Sequence, residues 1–352
     1  VPQVPVSVVI PVYNREAYVG QTIQSVLRQT FSDFELVVIN DGSTDRSESV
    51  IRGFKDSRLT VVTQSNQGLA RTWNIGLGRA RGEFVKLLDS DDLIAPTFLG
   101  EHLEFARRIP ESDVVYSNWV TIDEHGAFVS KTRLGEIPSL WTTLLHGNVF
   151  GVHEMLFRKV ALDSVGAFDS TIRICEDWDL YLRMARRGCR FRHLDRVLSF
   201  HRVHSGTYKK AVTDRFRQVI EKTFSDESLE AEHRSLRPLC EARHALFLME
   251  DCLRWGWPEE ADRCLERFIE ALERLRTHPQ KRKWYTRWLV PIWPRTAGGW
   301  IYVRHIRERL IRLGTDVDLV HVLDRGVARS FLARPVRRVR QWVNSIGVSH
   351  EV

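Results

Sequence analysis

Apolar runs of five to seven residues alternate along the first half of this chain with stretches whose apolar residues recur every three or four positions. Val6 to Val12, Phe34 to Ile39, Leu59 to Thr63 and Asp113 to Ser117 have strand length and predict buried strands. Phe84 to Leu88, bounded by Gly82 and by acids, suits a buried parallel strand better than a helix. Between them, Val19, Ile23, Val26 and Leu27 within residues 17–29, and then Leu69, Trp73 and Leu77, mark helices with one face on a core. Pro96 to about Arg108 predicts another. Strand and helix in strict alternation predict an α/β fold with a doubly wound, mostly parallel sheet flanked by helices. Further along, Asp123-Glu124-His125-Gly126 predicts a hairpin tip, Met155 to Phe157 a late strand, and Val160 to Val165 a short helix. Phe191 to Leu194 and Val197 to Phe200 predict two more strands. Residues 213–224, 228–254 and Pro258 to about Arg276 read as a helical region, with a hairpin turning at Trp255-Gly256-Trp257-Pro258. No second copy of this hairpin is visible, which argues against a solenoid.

The strand ends carry the candidate chemistry. Open α/β sheets bind ligands at the carboxyl ends of their strands, and the fourth run ends in Asp89-Ser90-Asp91-Asp92. Asp89 and Asp91, at i and i+2, repel each other unless a divalent cation with oxygen preferences sits between them and a phosphate. Asp92, ahead of Leu93-Ile94-Ala95-Pro96, reads as a helix cap. The second run ends in Asn40-Asp41-Gly42-Ser43-Thr44-Asp45, where Asp41 is either an N-cap or a ligand contact. Arg71 and Asn74 lie near the start of the helix after Asn66-Gln67-Gly68, where the dipole favours phosphate. In Cys175-Glu176-Asp177-Trp178-Asp179, three acids crowd the first turn of a helix. They complement its dipole, or one of them takes a proton from an acceptor hydroxyl. His201 and His204 are by themselves a weak metal signal.

Composition narrows the classes. With 352 residues, 43% of them hydrophobic, the chain has room for a large α/β domain and a helical appendage. No apolar run approaches bilayer-spanning length and the first residues lead straight into a strand, so a cytoplasmic protein is expected. Cys175, Cys189, Cys240, Cys252 and Cys264 form no Cys-x-x-Cys pair and are odd in number, which predicts reduced, packed thiols. The net charge of +7 is uneven: residues 281–352 hold 15 Lys or Arg against 5 Asp or Glu, leaving the preceding 280 residues at about −3. Trp284, Trp288, Trp293, Trp300 and Trp342 fall in the same basic tail. That mixture suits the headgroup region of an anionic membrane, at its inner face, or else packing against the helical hairpin or a second subunit.

Taken together, five motifs resemble family 2 inverting glycosyltransferases of the GT-A fold. They are Val9-Ile10-Pro11-Val12-Tyr13-Asn14, Val38-Ile39-Asn40-Asp41-Gly42-Ser43-Thr44-Asp45, Asn66-Gln67-Gly68 with Arg71 and Asn74, Leu88-Asp89-Ser90-Asp91-Asp92, and Glu176-Asp177-Trp178-Asp179. The resemblance covers residues 5 to about 207 and implies a GT-A catalytic domain over 1–210; the helical region over 211–280 and the basic tail over 281–352 lie beyond it. It implies transfer of a sugar from a nucleotide diphosphate sugar, UDP- or dTDP-linked, to a glycan or lipid-linked hydroxyl acceptor. The setting it implies is glycan or glycoconjugate assembly at the cell surface. It also implies that Pro11, Tyr13 and Glu16 line the base pocket, Asp41 pairs with the base, Arg71 approaches the phosphates, and Asp89, with Ser90 in the same motif, holds the ribose. Asp91 and His204 then hold Mn²⁺ or Mg²⁺, and Asp177 is the base of a single inverting displacement. Glu176 and Trp178 are candidates for the acceptor side.

A Gln-x-x-Arg-Trp motif, typical of processive synthases, does not follow the catalytic acid, which favours addition of one or a few sugars. A nucleotidyltransferase is the alternative for such an acidic site, but that class resembles itself through a Gly-rich basic loop after the first strand, and here the loop is Tyr13-Asn14-Arg15-Glu16. Nucleic-acid binding is disfavoured because the basic residues accompany no recognisable binding module.

Overall fold

The computed structural model describes residues 4–204, 215–254 and 256–275. The basic stretch 281–352, with the membrane or subunit contact expected of it, lies outside them. Among the described residues nine strands form one sheet: β1 (Val6–Val12), β2 (Phe34–Asp41), β3 (Leu59–Gln64), β4 (Phe84–Leu87), β5 (Leu93–Ile94), β6 (Val114–Ile122), β7 (Phe128–Thr132), β8 (Met155–Arg158) and β9 (Phe191–Arg202). Their order is β3-β2-β1-β4-β8-β6-β9-β5, with β7 added beside β6. The β3-β2-β1-β4 half is parallel throughout, with Val8 opposite Leu36 on one side and Lys86 on the other. β8 runs against both β4 and β6, and β6 and β9 are parallel again.

The connecting helices are α1 (Val19–Leu27), α2 (Ser47–Arg52), α3 (Leu69–Arg79), α4 (Phe98–Arg108), α5 (Leu140–His146), α6 (Lys159–Ser164), α7 (Glu176–Arg186) and α8 (Arg215–Phe224). The apolar stripe of α1, Val19, Ile23 and Val26, is fully buried in a core with Val8, Ile10, Leu36, Val38 and Leu99. On the other face α3 lies so close to β1 that a Cβ on Gly76 would run into the Val9 side chain. Gly76→Ala should therefore lower stability. Overpacking costs about 1–3 kcal/mol, more than the helix-propensity gain of about 1 kcal/mol, and a melting temperature equal to or above the parent's would show that β1 and α3 can separate.

Among the sheet and the helices around it, three segments depart from the sequence reading. The two strands expected around Asp195-Arg196 are one, β9, because a register shift against β6 between Ser117 and Trp119 absorbs the polar pair. Asn118 Nδ2 donates to Asp195 Oδ1 at 2.8 Å across that bulge. Leu93-Ile94 is a short strand against β9, and α4 begins only at Phe98, so Asp92 is not its cap. α5 was not anticipated; its seven residues bury Leu144 and Leu145 but offer too short a pattern to read.

The chain divides into two compact units. The first contains all nine strands and α1 to α8; Lys222 of α8 joins it through Asp169 and Asp179, at 2.7 and 2.6 Å. The second contains α9 (Ala231–Arg234), α10 (Arg237–Arg254) and α11 (Pro258–Leu275). The long helix read over 228–254 is broken before α10, whose first turn carries Pro238. α10 and α11 pack as a hairpin that buries Leu246 and Met249 of one and Leu265, Phe268 and Leu272 of the other. None of the five cysteines is in a disulfide, and Cys240, Cys252 and Cys264 are buried.

Candidate active site

Because β1, β2 and β4 are parallel and in register, the loops after them leave one edge of the sheet together. Hydrogen bonds fasten the first two loops to each other. Asn14 is left-handed at φ 52°, and its Oδ1 accepts the Thr44 N–H at 2.8 Å. Asp45 Oδ2 accepts the Glu16 N–H at 3.0 Å, and Glu16 itself is paired with Arg46 at 3.1 Å. Pro11 lies within β1 opposite Ile39, and Tyr13 is exposed beyond the strand. Asp41 is buried and does cap a helix entry, though not that of α2. Its Oδ1 accepts from Gln64 Nε2 (2.8 Å) and the Gln67 amide (2.9 Å), and its Oδ2 accepts the Gly68 amide (3.0 Å). Gly68, at φ 87°, supplies the left-handed turn into α3. With one N–H on Oδ2, the carboxylate retains acceptor capacity. Arg71 is exposed on α3, whereas Asn74 exchanges two hydrogen bonds with the Phe168 backbone, 2.8 and 2.9 Å, and holds that loop instead of a phosphate.

The acidic end of β4 sorts into distinct environments. Asp89 is pushed well above the usual carboxylate range by burial and then by Asp92 and Asp91; Asp177 adds to the push. Ser90 is buried, and its carbonyl accepts the Thr22 hydroxyl at 2.9 Å. Burial works against ionisation of Asp91 as well, but His204 and then Arg15 outweigh it and hold this carboxyl below its ordinary value. Both partners meet the same oxygen: Arg15 Nε and His204 Nε2 each lie 3.0 Å from Asp91 Oδ2. Tyr18 stacks on His204 at 4.9 Å between ring centroids. One carboxylate and one imidazole in contact are ligand types that suit a hard divalent ion with oxygen in its remaining positions, such as Mn²⁺ or Mg²⁺.

Asp92 faces elsewhere. Its Oδ1 accepts the Arg202 amide at 2.7 Å, tying the β4 loop to β9, and both His201 Nδ1 (3.3 Å) and His153 Nδ1 (3.6 Å) adjoin it. Asp92, His153 and His201 bring one metal-ligating atom each to within 4.8 Å of one another. Their two rings, however, stack 4.8 Å apart and only 14° from parallel, so their planes do not converge on a point as two imidazole ligands require. An ion pair explains the cluster better. Burial alone would lower His201, but Asp92 and Asp89 push it up to about 9, whereas burial and the His201 charge keep His153 well below the usual range. Beneath them Lys86, fully buried mid-strand, donates to the Val152 and His153 carbonyls at 2.9 and 2.7 Å.

α7 brings the last acids. Cys175 enters it at φ 63°, a left-handed conformation rare outside glycine. Asp179 is neutralised by Arg183 (2.8 Å) and Lys222 (2.6 Å), which leaves it a structural part. Among the described residues no cation pairs with Asp177: its Oδ2 accepts from Asn148 Nδ2 at 3.0 Å and its Oδ1 from the Trp178 amide at 2.7 Å. Burial pushes Asp177 up to about 6, against those two hydrogen bonds. Burial and then the Asp177 charge raise Glu176 in turn, and Asp89 adds to it. Trp178, expected on the acceptor side, is instead 1% exposed, with its indole N–H on the Leu144 carbonyl at 2.9 Å; it anchors α7 to α5. Asn148, His153 and Lys86 had no role in the sequence reading, and of these only Lys86, a charge inside an apolar run, left a local signal.

Residues 7–165 match the family model described as Glycosyl transferase family 2. They form a family 2 glycosyltransferase domain. A glycosyltransferase of Haemophilus influenzae is 35% identical over 160 residues, 45% of this chain and 63% of the relative. EpsJ of Bacillus subtilis, described as a glycosyltransferase, is 29% identical over 208 residues, 56% of this chain and 60% of EpsJ. The chain thus spans about three fifths of the length of these relatives. S. aureus TarS (residues 1–349), crystallised with UDP-GlcNAc, superimposes with a TM-score of 0.60 at 20% identity, covering 89% of this chain and 93% of that one. The mannosyltransferase PcManGT from Pyrobaculum calidifontis, in complex with GDP-Man and Mn²⁺, gives 0.53 at 17% identity over 94% and 88%. The family 2 domain therefore has the GT-A fold, and the helical region follows it in chain order.

Proposed function

We propose that this chain is an inverting, metal-dependent glycosyltransferase that moves a sugar from a UDP- or dTDP-linked donor to a hydroxyl acceptor. One observation carries the reading. A half-buried carboxylate with no cationic partner among the described residues, Asp177, shares the field of Asp89 with Asp91, which is paired to His204. Asp177 accepts the acceptor's hydroxyl proton as that oxygen bonds to the anomeric carbon. The bond from that carbon to the diphosphate breaks, and its electron pair leaves with the diphosphate. Attack opposite the leaving group inverts the anomeric centre. Asp91 and His204 would hold a divalent ion, which supplies Lewis-acid stabilisation of the charge developing on the leaving group. Asp89 contacts the ribose, Asp41 and the β1 loop receive the base, and Glu176 orients the acceptor. TarS with UDP-GlcNAc and PcManGT with GDP-Man and Mn²⁺ support this reading as relatives of the same fold.

The test is a panel of UDP, dTDP, GDP and their sugar conjugates, each with and without Mn²⁺, read as thermal stabilisation and donor hydrolysis. A UDP- or dTDP-linked donor at a hundred times its Kd should add about 2.7 kcal/mol of stability, and only with the metal. If no nucleotide sugar shifts the transition, the proposal fails.

A further inference from the structure

We infer that Arg15 is a switch between the metal carboxylate and the donor's diphosphate: it occupies Asp91 when no nucleotide is bound and makes divalent-cation binding conditional on the nucleotide. The inference rests on the reading that Asp91 and His204 hold the ion. Arg15 Nε lies 3.0 Å from Asp91 Oδ2, the same oxygen that meets His204 Nε2 at 3.0 Å. An ion held by both Asp91 and His204 would therefore sit against the oxygen that already carries a guanidinium, whose positive charge opposes it. A guanidinium cannot shed its proton, so it leaves only by moving, or the ion binds beside a fixed positive charge.

The surroundings allow the side chain alone to move. The backbone is fixed by the left-handed Asn14, by Asn14 Oδ1 on the Thr44 amide, and by the Arg15 N–H on Ser47 Oγ at 2.8 Å. The guanidinium is held more loosely: Nη1 donates to the Asn14 carbonyl at 3.0 Å and to Tyr13 at 3.5 Å, and the side chain is 31% exposed. A diphosphate arriving at the same sheet edge offers this planar fork two oxygens for a bidentate contact, which a single Asp91 oxygen does not. Transfer of Arg15 to the phosphates then frees Oδ2 as the nucleotide's own charge arrives. Nucleotide and metal bind with positive coupling that exceeds their direct contact.

The full chain is titrated with Mn²⁺, free ion being read by electron paramagnetic resonance, with and without UDP. Arg15→Gln should bind Mn²⁺ without UDP more tightly than the parent, by between about 5- and 150-fold, the range of ordinary coupling energies. It should bind UDP alone more weakly. Arg15→Lys keeps a charge on Asp91 and should retain weak nucleotide-free Mn²⁺ binding. Asp91→Ala serves as the control. If Asp91→Ala loses Mn²⁺ binding while Arg15→Gln binds it no tighter than the parent, the switch is overturned and the metal assignment stands. If Asp91→Ala binds Mn²⁺ like the parent, the underlying assignment falls, and the switch with it.

Discussion

Asp177→Asn should reduce sugar transfer to acceptor by roughly 10²- to 10⁴-fold, the usual contribution of a positioned general base, and leave donor affinity near the parent's. The substitution keeps shape and hydrogen bonding to Asn148 and the Trp178 amide but cannot take a proton. The same change should raise the melting temperature at pH 7. Asp177 is pushed up to about 6 by burial, above the ordinary carboxylate value, so the folded chain binds its proton more tightly than the unfolded one. Its contribution to stability is thus present at low pH and lost as pH rises through about 6; asparagine carries no such loss. A gain of order 1 kcal/mol moves a domain of this size by about 2–4 °C. For the parent enzyme, transfer should fall as pH drops below about 6, where the base is protonated. Full transfer rate in Asp177→Asn, a loss traced entirely to donor binding, or a product of retained anomeric configuration by NMR would each remove Asp177 from this role. Asp179→Asn should differ in kind: it leaves Lys222 and Arg183 without their buried carboxylate and should cost stability.

That the loops after β1, β2 and β4 share one sheet edge was legible in the sequence for a physical reason. β1, β2 and β4 are continuous apolar runs, parallel strands end at one edge, and the polar residues that follow each run must therefore meet. The roles proposed for the residues at that edge rest on the family motifs. Asn148 lies 29 residues from Asp177 in a loop after a helix too short to read, and nothing local marks it. Trp178 went astray for a geometric reason. Successive residues on a helix point about 100° apart, so when Asp177 faces the site its neighbour turns to the core against Leu144. Asp92 was rightly given to structure but for the wrong bond: Leu93-Ile94 pairs with β9, and the carboxylate secures that strand through the Arg202 amide. Lys86 shows what pattern reading discards. Within Phe84-Val85-Lys86-Leu87-Leu88 the strand assignment survives one charge, yet that charge had to find buried carbonyls, and they belong to the segment carrying His153.

Asp91→Ala should abolish Mn²⁺-dependent donor binding and lower transfer by roughly 10³-fold or more, since Lewis-acid stabilisation of a leaving group amounts to several kcal/mol. His204→Ala should weaken the metal dependence less, because water replaces an imidazole on an octahedral ion more readily than it replaces a carboxylate charge. The ranking follows from the structure's charges. Asp91 balances Arg15 and meets His204, so its removal leaves the Arg15 cation without that carboxylate, the reverse of what an ion needs. Asp91→Asn separates the two effects: it can still accept from Arg15 Nε, which preserves the apo loop, but it has lost the charge, and so should match alanine in metal binding and exceed it in thermal stability. Calorimetry of donor binding across a Mn²⁺ series decides the matter. An Asp91→Ala protein whose donor affinity still rises with Mn²⁺ would put the ion elsewhere. Asp92, His153 and His201 then become the alternative donor set, and Mn²⁺ would have to break their 14° stack, turning one imidazole to face it. Substituting His153 in that background would show it at once, by abolishing the residual response.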